Sequence, residues 1–189
     1  MSKIVTAVYR AFDIIFSLIG LVVCTPLMVP IIILVTLDTG SPLFMQYRLG
    51  RNKKPFLMVK FRTMRVGTPY QVSHLSDRKN ITLLGRFLRK FKLDEIPQLF
   101  NVLIGDMSLV GPRPGLADHV ELIDAREKHG VYGVRPGITG LSQINGVDMS
   151  SPNKLAEMDA EMIKSLSIRF YFYYLLLTLV GKGSGDQIK

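Results

Sequence analysis

Apolar residues are distributed unevenly along the chain. From Ala11 to Leu37 they run nearly unbroken; beyond Ser41-Pro42 they fall into short segments separated by charge and turn residues. As a straight helix the first run would be about 40 Å long, more than the roughly 30 Å of bilayer hydrocarbon. It is too long for a signal peptide, and no small-residue cleavage site closes it. Pro26 and Pro30 interrupt it, each removing a backbone hydrogen bond at about 3 kcal/mol if unrelieved. The Thr25 hydroxyl can bond carbonyls freed at such a kink. Lys3 and Arg10 precede the run, and Arg48, Arg51, Lys53 and Lys54 follow it. The positive-inside tendency therefore assigns both ends to the cytoplasm, which a single crossing cannot satisfy. The pattern predicts a helix broken near Thr25-Pro26 that enters and leaves the membrane by one face. Residues 1–40 form this membrane element, and 41–189 a cytoplasmic-face domain working with it as one unit.

The remaining pattern predicts short elements. Leu43 to Tyr47 and Phe56 to Arg62 read as strands joined by a turn, and 66–80 as a loop. Ile81 to Lys92 reads as an amphipathic helix that packs on the core or lies in the membrane interface; Leu84, Phe87, Leu88 and Phe91 form its apolar side. Pro97 lacks an N–H and is best accommodated in a helix's first turn. That puts Asp94 and Glu95 at a helix N-terminus, where free N–H groups favour anions. Leu93, Ile96, Phe100 and Leu103 then share an apolar face; Asp94, Gln98 and Asn101 share a polar one. Gly105 can end the helix, and Asp106 after it suits a structural role bonding turn amides. Residues 116–129 read as a charged, solvent-facing helix, and 133–146 as a glycine-rich loop able to aim N–H groups at phosphate. Ile168 to Val180 spans only about 20 Å as a helix, too short to cross. Its tyrosines suit the bilayer surface or packing on the N-terminal helix. The expected fold class is α+β: a small, mostly helical membrane-associated domain with a short β hairpin, an N-terminal re-entrant helix and interfacial amphipathic helices.

Charge narrows the choice of partner. Twenty-four Lys and Arg against 15 acids give +9, yet mean hydropathy is +0.25. A basic, greasy chain suits an anionic membrane surface better than nucleic acid. The single Cys24 excludes an internal disulfide and argues against a Cys-based zinc site. His74, His119 and His129 lack metal-ligand spacing and read as surface or loop residues. From Arg48 through Lys92 there are thirteen Lys or Arg and one acid, Asp77. Most can be solvated or face lipid headgroups, but Lys60 and Arg62 sit in a strand beside aromatics, where an unpaired cation is costly. By physics alone, Asp94-Glu95 is equally compatible with solvated acids capping a core helix and with chemistry.

The stretch Asp94-Glu95-x-Pro97-Gln98-Leu99-x-Asn101-Val102-Leu103-x-Gly105-Asp106-Met107-Ser108-Leu109-Val110-Gly111-Pro112-Arg113-Pro114 resembles the core signature of the bacterial sugar transferases, the monotopic phosphoglycosyl transferases. Phe56 to Met64 and Arg135 to Gly146 are similar to two further motifs of that family, in the same order. The resemblance covers roughly residues 10 to 160 and weakens after Gly146, where Val147 stands in place of a common Arg, and Met162 and Ile163 in place of aromatics. It implies the same re-entrant geometry and transfer of a sugar 1-phosphate from a UDP-sugar to polyprenyl (undecaprenyl) phosphate, releasing UMP. It implies the cytoplasmic face of a bacterial inner membrane and the first membrane step of a surface glycan. Asp94 is the expected nucleophile and an Mg²⁺ ligand; Glu95, the second catalytic residue, is expected either to complete the Mg²⁺ site or to assist the polyprenyl phosphate proton. Lys60, Arg62, Arg89, Arg113, Arg135 and Gln143 are the expected substrate and phosphate contacts, Arg113 and Lys60 foremost. The partners are the UDP-sugar, the polyprenyl phosphate and the bilayer, without nucleic acid; self-association is left open. The rival is a non-catalytic scaffold binding anionic lipid, which gives no reason for two acids beside so many cations.

Overall fold

The computed structural model describes residues 3–68 and 78–183. His74, Asp77 and most of the expected 66–80 loop lie outside them. Helix α1 runs from Lys3 to Thr39 with Pro26 and Pro30 inside it, so the helix is continuous where the sequence predicted a break. Thr25 Oγ1 donates to the Leu21 carbonyl at 2.7 Å. That is not the Val22 carbonyl four residues before Pro26, which the proline leaves without its helical N–H. Tyr9, Asp13, Ser17 and Leu21, four apart, are buried, as are Ile31 and Val35 further along. The same helix exposes Ile15, Leu18, Val22, Val23, Ile33 and Leu37.

Strands β1 (Leu43–Leu49) and β2 (Pro55–Phe61) pair antiparallel, from Leu43 opposite Phe61 to Leu49 opposite Pro55. The alternation of β2 turns Phe56 and Met58 inward, where they meet Tyr9 and Val102 in the larger core cluster. Thr82 caps helix α2 (Leu83–Lys90), accepting from Gly85 N at 2.9 Å. A Cβ at Gly85 would collide with the Thr63 backbone, so glycine lets α2 sit tight on the end of the hairpin. Leu88 and Leu84 pack on Ile31, Val35 and Phe61, whereas Leu83, Phe87 and Phe91 point outward. The apolar side read from the sequence is thus two faces, one in the core and one exposed.

Helix α3 (Gln98–Ile104) follows a 3₁₀ turn at Leu93–Glu95. Gly105, at φ +101°, ends it, a conformation glycine adopts without a Cβ penalty. Strand β3 (Ser108–Val110) then pairs parallel with β4 (Gly137–Thr139). Gly111 and Gly137 cross so closely that a Cβ on Gly137 would meet the Gly111 backbone.

Helix α4 (Val120–Lys128) packs on α6 (Pro152–Ser165), with the short α5 (Leu141–Ile144) between β4 and α6. The expectation of a solvent-facing helix at 116–129 is corrected at Arg126, which is 2% exposed. Arg126 pairs with fully buried Asp159 through Nη2 at 2.6 Å, and Asp159 also accepts from the Ser142 hydroxyl at 3.0 Å. A charge pattern marks which residues are ionic but not which of them find partners on a distant element. Burial raises the Asp159 carboxyl above its ordinary range, against the pull of Arg126 and Ser142.

The last helix, α7 (Ile168–Leu179), packs on the N-terminal helix. Tyr171 stacks on Tyr9 at 5.4 Å, and its hydroxyl donates to Asp13 Oδ1 at 2.8 Å. The same carboxylate oxygen accepts from Ser108 Oγ and Leu109 N, both at 2.9 Å. Asp13 thereby ties α1, β3 and α7 together by charge-assisted bonds of about 1.5–3 kcal/mol each. Burial, the Asp13 charge and the bond to it push the Tyr171 hydroxyl well above its ordinary range.

Candidate active site

The site forms where the turn before α3 meets β2. Pro97 is the N-cap of α3, so the acids precede the helix rather than opening it: Asp94 and Glu95 lie in the 3₁₀ turn. Lys92, just before the turn, has φ +55°, a left-handed conformation costing a residue with a Cβ roughly 1–2 kcal/mol. This reversal swings the chain so that Asp94 is only 8% exposed. Of the expected apolar face, Leu93 and Ile96 pack on the core while Phe100 is exposed, and Gln98 and Asn101 of the polar face are buried. The reason is specific pairing. Asn101 Oδ1 accepts from Val59 N at 3.1 Å and its Nδ2 donates to Leu57 O at 2.8 Å. The amide thus extends the free edge of β2 as a strand neighbour would, satisfying buried backbone groups.

Around the turn stand three cations. Lys60 Nζ lies 2.8 Å from Glu95 Oε1, their side chains 13% and 17% exposed, and Arg113 Nη2 lies 4.0 Å from the same oxygen. Burial, reinforced by the charges of Arg113 and Lys60, holds the Lys92 ammonium below its ordinary range, against the pull of Glu95 and Asp94. Lys92 Nζ itself donates to Lys182 O at 3.0 Å, within electrostatic reach of this cluster, and sequence reasoning missed it. Its positive φ gives no signal in a string of residues, and one more lysine in a basic segment is inconspicuous. Gln98 was also passed over as a contact; its buried Nε2 has no hydrogen-bond partner among the described residues.

Arg113 is held by its loop. Gly111 N donates to Thr139 O, and Gly137 N to Pro112 O, each at 2.8 Å. From the other side Leu49 N donates to Gly115 O at 2.9 Å and Arg48 Nη1 to Pro114 O at 3.3 Å. Gln143, expected to contact substrate, is buried and donates from Nε2 to Gly111 O at 3.2 Å, so its geometry serves the Arg113 loop. Arg89 reaches Thr63 Oγ1 through Nε at 2.8 Å, and its buried Nη1 has no hydrogen-bond partner among the described residues. Its helix packs against the Asp94 turn. An unmatched guanidinium nitrogen there is a ready donor for an anion.

Arg62 and Arg135 are directed elsewhere. Arg62 donates to the Ser41 and Leu43 carbonyls at 3.2 and 3.0 Å and lies over the Phe44 ring, joining the end of α1 to the hairpin. Arg135 donates from Nε to Gly105 O at 2.8 Å, at the far end of α3. Sequence spacing gave no means of sorting these arginines, because each is placed by a carbonyl distant in the chain.

For a metal, the donor set at this turn is two carboxylates, one of them engaged by Lys60. Among the described residues no group of three or more His, Cys, Asp or Glu converges. A protein-only cage is therefore absent, but Mg²⁺ suits one or two carboxylates completed by substrate phosphates and water. The residues fit that mode, with Asp94 and Glu95 as its carboxylates.

Residues 4–182 match the family model described as bacterial sugar transferase. The chain belongs to this family. Among the sugar transferase relatives, one from Bacillus subtilis, named uncharacterized sugar transferase EpsL, is 41% identical over 90% of this chain and 84% of its own length. A Xanthomonas campestris protein named UDP-glucose:undecaprenyl-phosphate glucose-1-phosphate transferase is 38% identical over 89% of the chain and 37% of its own. The undecaprenyl-phosphate galactose phosphotransferase of Salmonella typhimurium is 38% identical over 72% and 32%, respectively. The chain thus spans most of the Bacillus relative but only about a third of the other two.

Proposed function

We propose that this sugar transferase moves a sugar 1-phosphate from a UDP-sugar to polyprenyl phosphate through a covalent intermediate on Asp94. The observation that carries the reading is the buried Asp94 in a turn surrounded by Lys60, Lys92 and Arg113. Phosphoryl transfer needs little beyond positioning and neutralised charge. In the first half-reaction a carboxylate oxygen of Asp94 bonds to the β-phosphorus. The bond from that phosphorus to the oxygen bridging the α-phosphate breaks, and UMP leaves with the electron pair. In the second, a phosphate oxygen of the polyprenyl lipid bonds to the same phosphorus and the Asp94 carboxylate departs, giving polyprenyl diphosphate sugar.

Arg113, on its pinned loop, and Arg89, through its unmatched Nη1, would hold phosphate oxygens, and Lys92 would add a third positive charge. Lys60 orients Glu95, keeping that carboxylate from turning toward the phosphates. Mg²⁺ held by Asp94, with Glu95 beside it, would neutralise the diphosphate when bound.

The membrane arrangement follows the same logic. Tyr9 and Val35, near opposite ends of α1, are both buried against the one domain, which supports both ends lying on the cytoplasmic face of a bacterial inner membrane. The outward Leu83, Phe87, Phe91, Phe100 and Ile104 offer an interfacial surface around the site, where a soluble and a lipid-borne substrate can meet.

The decisive experiment separates the half-reactions. Wild-type protein given UDP-sugar without lipid acceptor should release about one UMP per site and retain a sugar-phosphoryl adduct on Asp94, the pattern of covalent catalysis. Chelation should abolish the release and Mg²⁺ restore it, and Asp94→Asn should abolish it outright. UMP release that waits for the lipid, or an adduct mapped to another residue by mass spectrometry, would overturn the mechanism.

A further inference from the structure

A concavity lined by cations and apolar side chains lies at the opposite end of α3 from the acids. It encloses about 310 Å³ between the first turns of α1, the end of β3 and the segment carrying Arg135. Helix α3 has seven residues, so about 10 Å of helix lies between its two ends, while Gly111 and Pro112 bring the base of the Arg113 loop to the cavity's wall. Arg10, Arg51 and Arg135 all line it. Arg10 is committed to the helix end, donating to Val102 O at 2.6 Å and Leu103 O at 2.8 Å. Arg135 uses only Nε, toward Gly105 O. Its terminal nitrogens, and the whole guanidinium of exposed Arg51, have no protein hydrogen-bond partner among the described residues.

Counter-charge is scarce. Among the described residues Asp13 is the sole carboxylate lining the cavity, and its Oδ1 already accepts from Ser108, Leu109 and Tyr171. Burial and the charges of Arg10 and Arg51 hold Arg135 below its ordinary range, as expected of a cation cluster short of anions.

The surroundings say what kind of anion fits. Tyr9, Arg10 and Asp13 bring one face of α1 to the cavity, and the exposed apolar stretch of that helix begins at the next residues, Ile14 and Ile15. Cations within a cavity and a greasy helix leading away from it match a molecule with an anionic head and hydrocarbon chains. A soluble phosphate compound would use only the first half of that boundary. We propose that this cavity binds the phosphate headgroup of a membrane lipid, its chains lying along the exposed side of α1. The inference rests on membrane association of α1 and is independent of the chemistry at Asp94.

Lipid retention read by native mass spectrometry tests it, on full-length protein extracted gently from vesicles. One arm uses phosphatidylglycerol in phosphatidylcholine, the other polyprenyl phosphate in phosphatidylcholine; retention in either supports the site and identifies the lipid. Arg51→Gln removes a free guanidinium. Gly133→Phe fills the cavity without changing charge, since a Cβ there meets nothing within 4 Å. Lys128→Gln removes the same charge from an exposed position outside the cavity. Wild type and Lys128→Gln should keep about one lipid per chain, and the two cavity variants should lose occupancy about tenfold, the scale of one charge-assisted contact. Should Gly133→Phe misfold, Arg51→Gln against Lys128→Gln decides the matter. Equal retention in Arg51→Gln and Lys128→Gln would overturn the proposal. So would a lipid-free cavity that takes up UMP in an Arg51-dependent way, which would mark a nucleotide pocket.

Discussion

Replacing Lys60 with Met separates two jobs for this side chain: gripping a substrate phosphate, or holding Glu95. At 2.8 Å the pair's Coulomb attraction is about 6 kcal/mol at an effective dielectric of 20 and about 1.5 kcal/mol in bulk water. Partial exposure of both side chains puts the environment between those limits, and the cost of desolvating them offsets most of the gain. A net coupling of about 1–2 kcal/mol remains, above the range of an exposed pair. Arg113 is already 4.0 Å from the orphaned carboxylate and would close on it. The lysine's loss therefore also withdraws the arginine from the phosphates. Lys60→Met should lower the melting temperature by about 2–8 °C. It should also cut kcat for UMP release by at least about tenfold, equivalent to about 1.4 kcal/mol, with little change in KM for the UDP-sugar. The assay is a double-mutant cycle with Glu95→Gln, followed by thermal melts in detergent and by turnover. The double variant should be scarcely worse than Glu95→Gln alone. Additive effects within about 0.3–0.5 kcal/mol, or a loss confined to KM, would refute the orienting role and return Lys60 to direct phosphate binding.

Asn101→Ala removes the acceptor for Val59 N and the donor to Leu57 O, leaving two backbone groups of β2 unmatched; stability should fall by about 2–4 kcal/mol, and a loss under about 0.5 kcal/mol in denaturant melts would mean that water replaces the amide. In a Cys24-free background, Lys3→Cys and Lys54→Cys should both react with an impermeant thiol reagent only from the cytoplasmic side; labelling of residue 3 from the far side would make α1 a true span. Tyr171 titrates higher folded than unfolded, so its contribution is complete below its unfolded value of about 10 and declines above it by up to about 1.4 kcal/mol per pH unit. Melts from about pH 9 to about pH 11 should show this extra alkaline loss in wild type and its absence in Tyr171→Phe; parallel pH slopes in the two proteins would rule it out.

What the sequence determined by itself was whatever depends on neighbours along the chain. The apolar run of α1, the two strands of the hairpin and the helix stop at Gly105 follow from periodicity and backbone preference, which act over a few residues. The long motif around Asp94-Glu95 likewise marked the family, because it is a run of neighbouring residues. Tertiary structure decided which side of each element is inside. Asn101 is buried because β2 presents unmatched backbone groups beside it, and Phe100 is outside because Asn101 must be inside. Arg126 is buried because Asp159, thirty-three residues later, lies across from it. The arginines show this most plainly: in the sequence Arg62, Arg89, Arg113 and Arg135 are equivalent cations. Only the fold sends Arg113 to Glu95, leaves a nitrogen of Arg89 unmatched near the acids, and anchors Arg62 and Arg135 to carbonyls elsewhere. A guanidinium has five donors and a long reach, so its partner is set by whatever acceptor the packed chain brings within 3 Å or so, and that acceptor is seldom near in sequence. The unbroken course of α1 through Pro26 belongs to the same class, since a proline's local penalty is weighed against the contacts that both halves of the helix make with one domain.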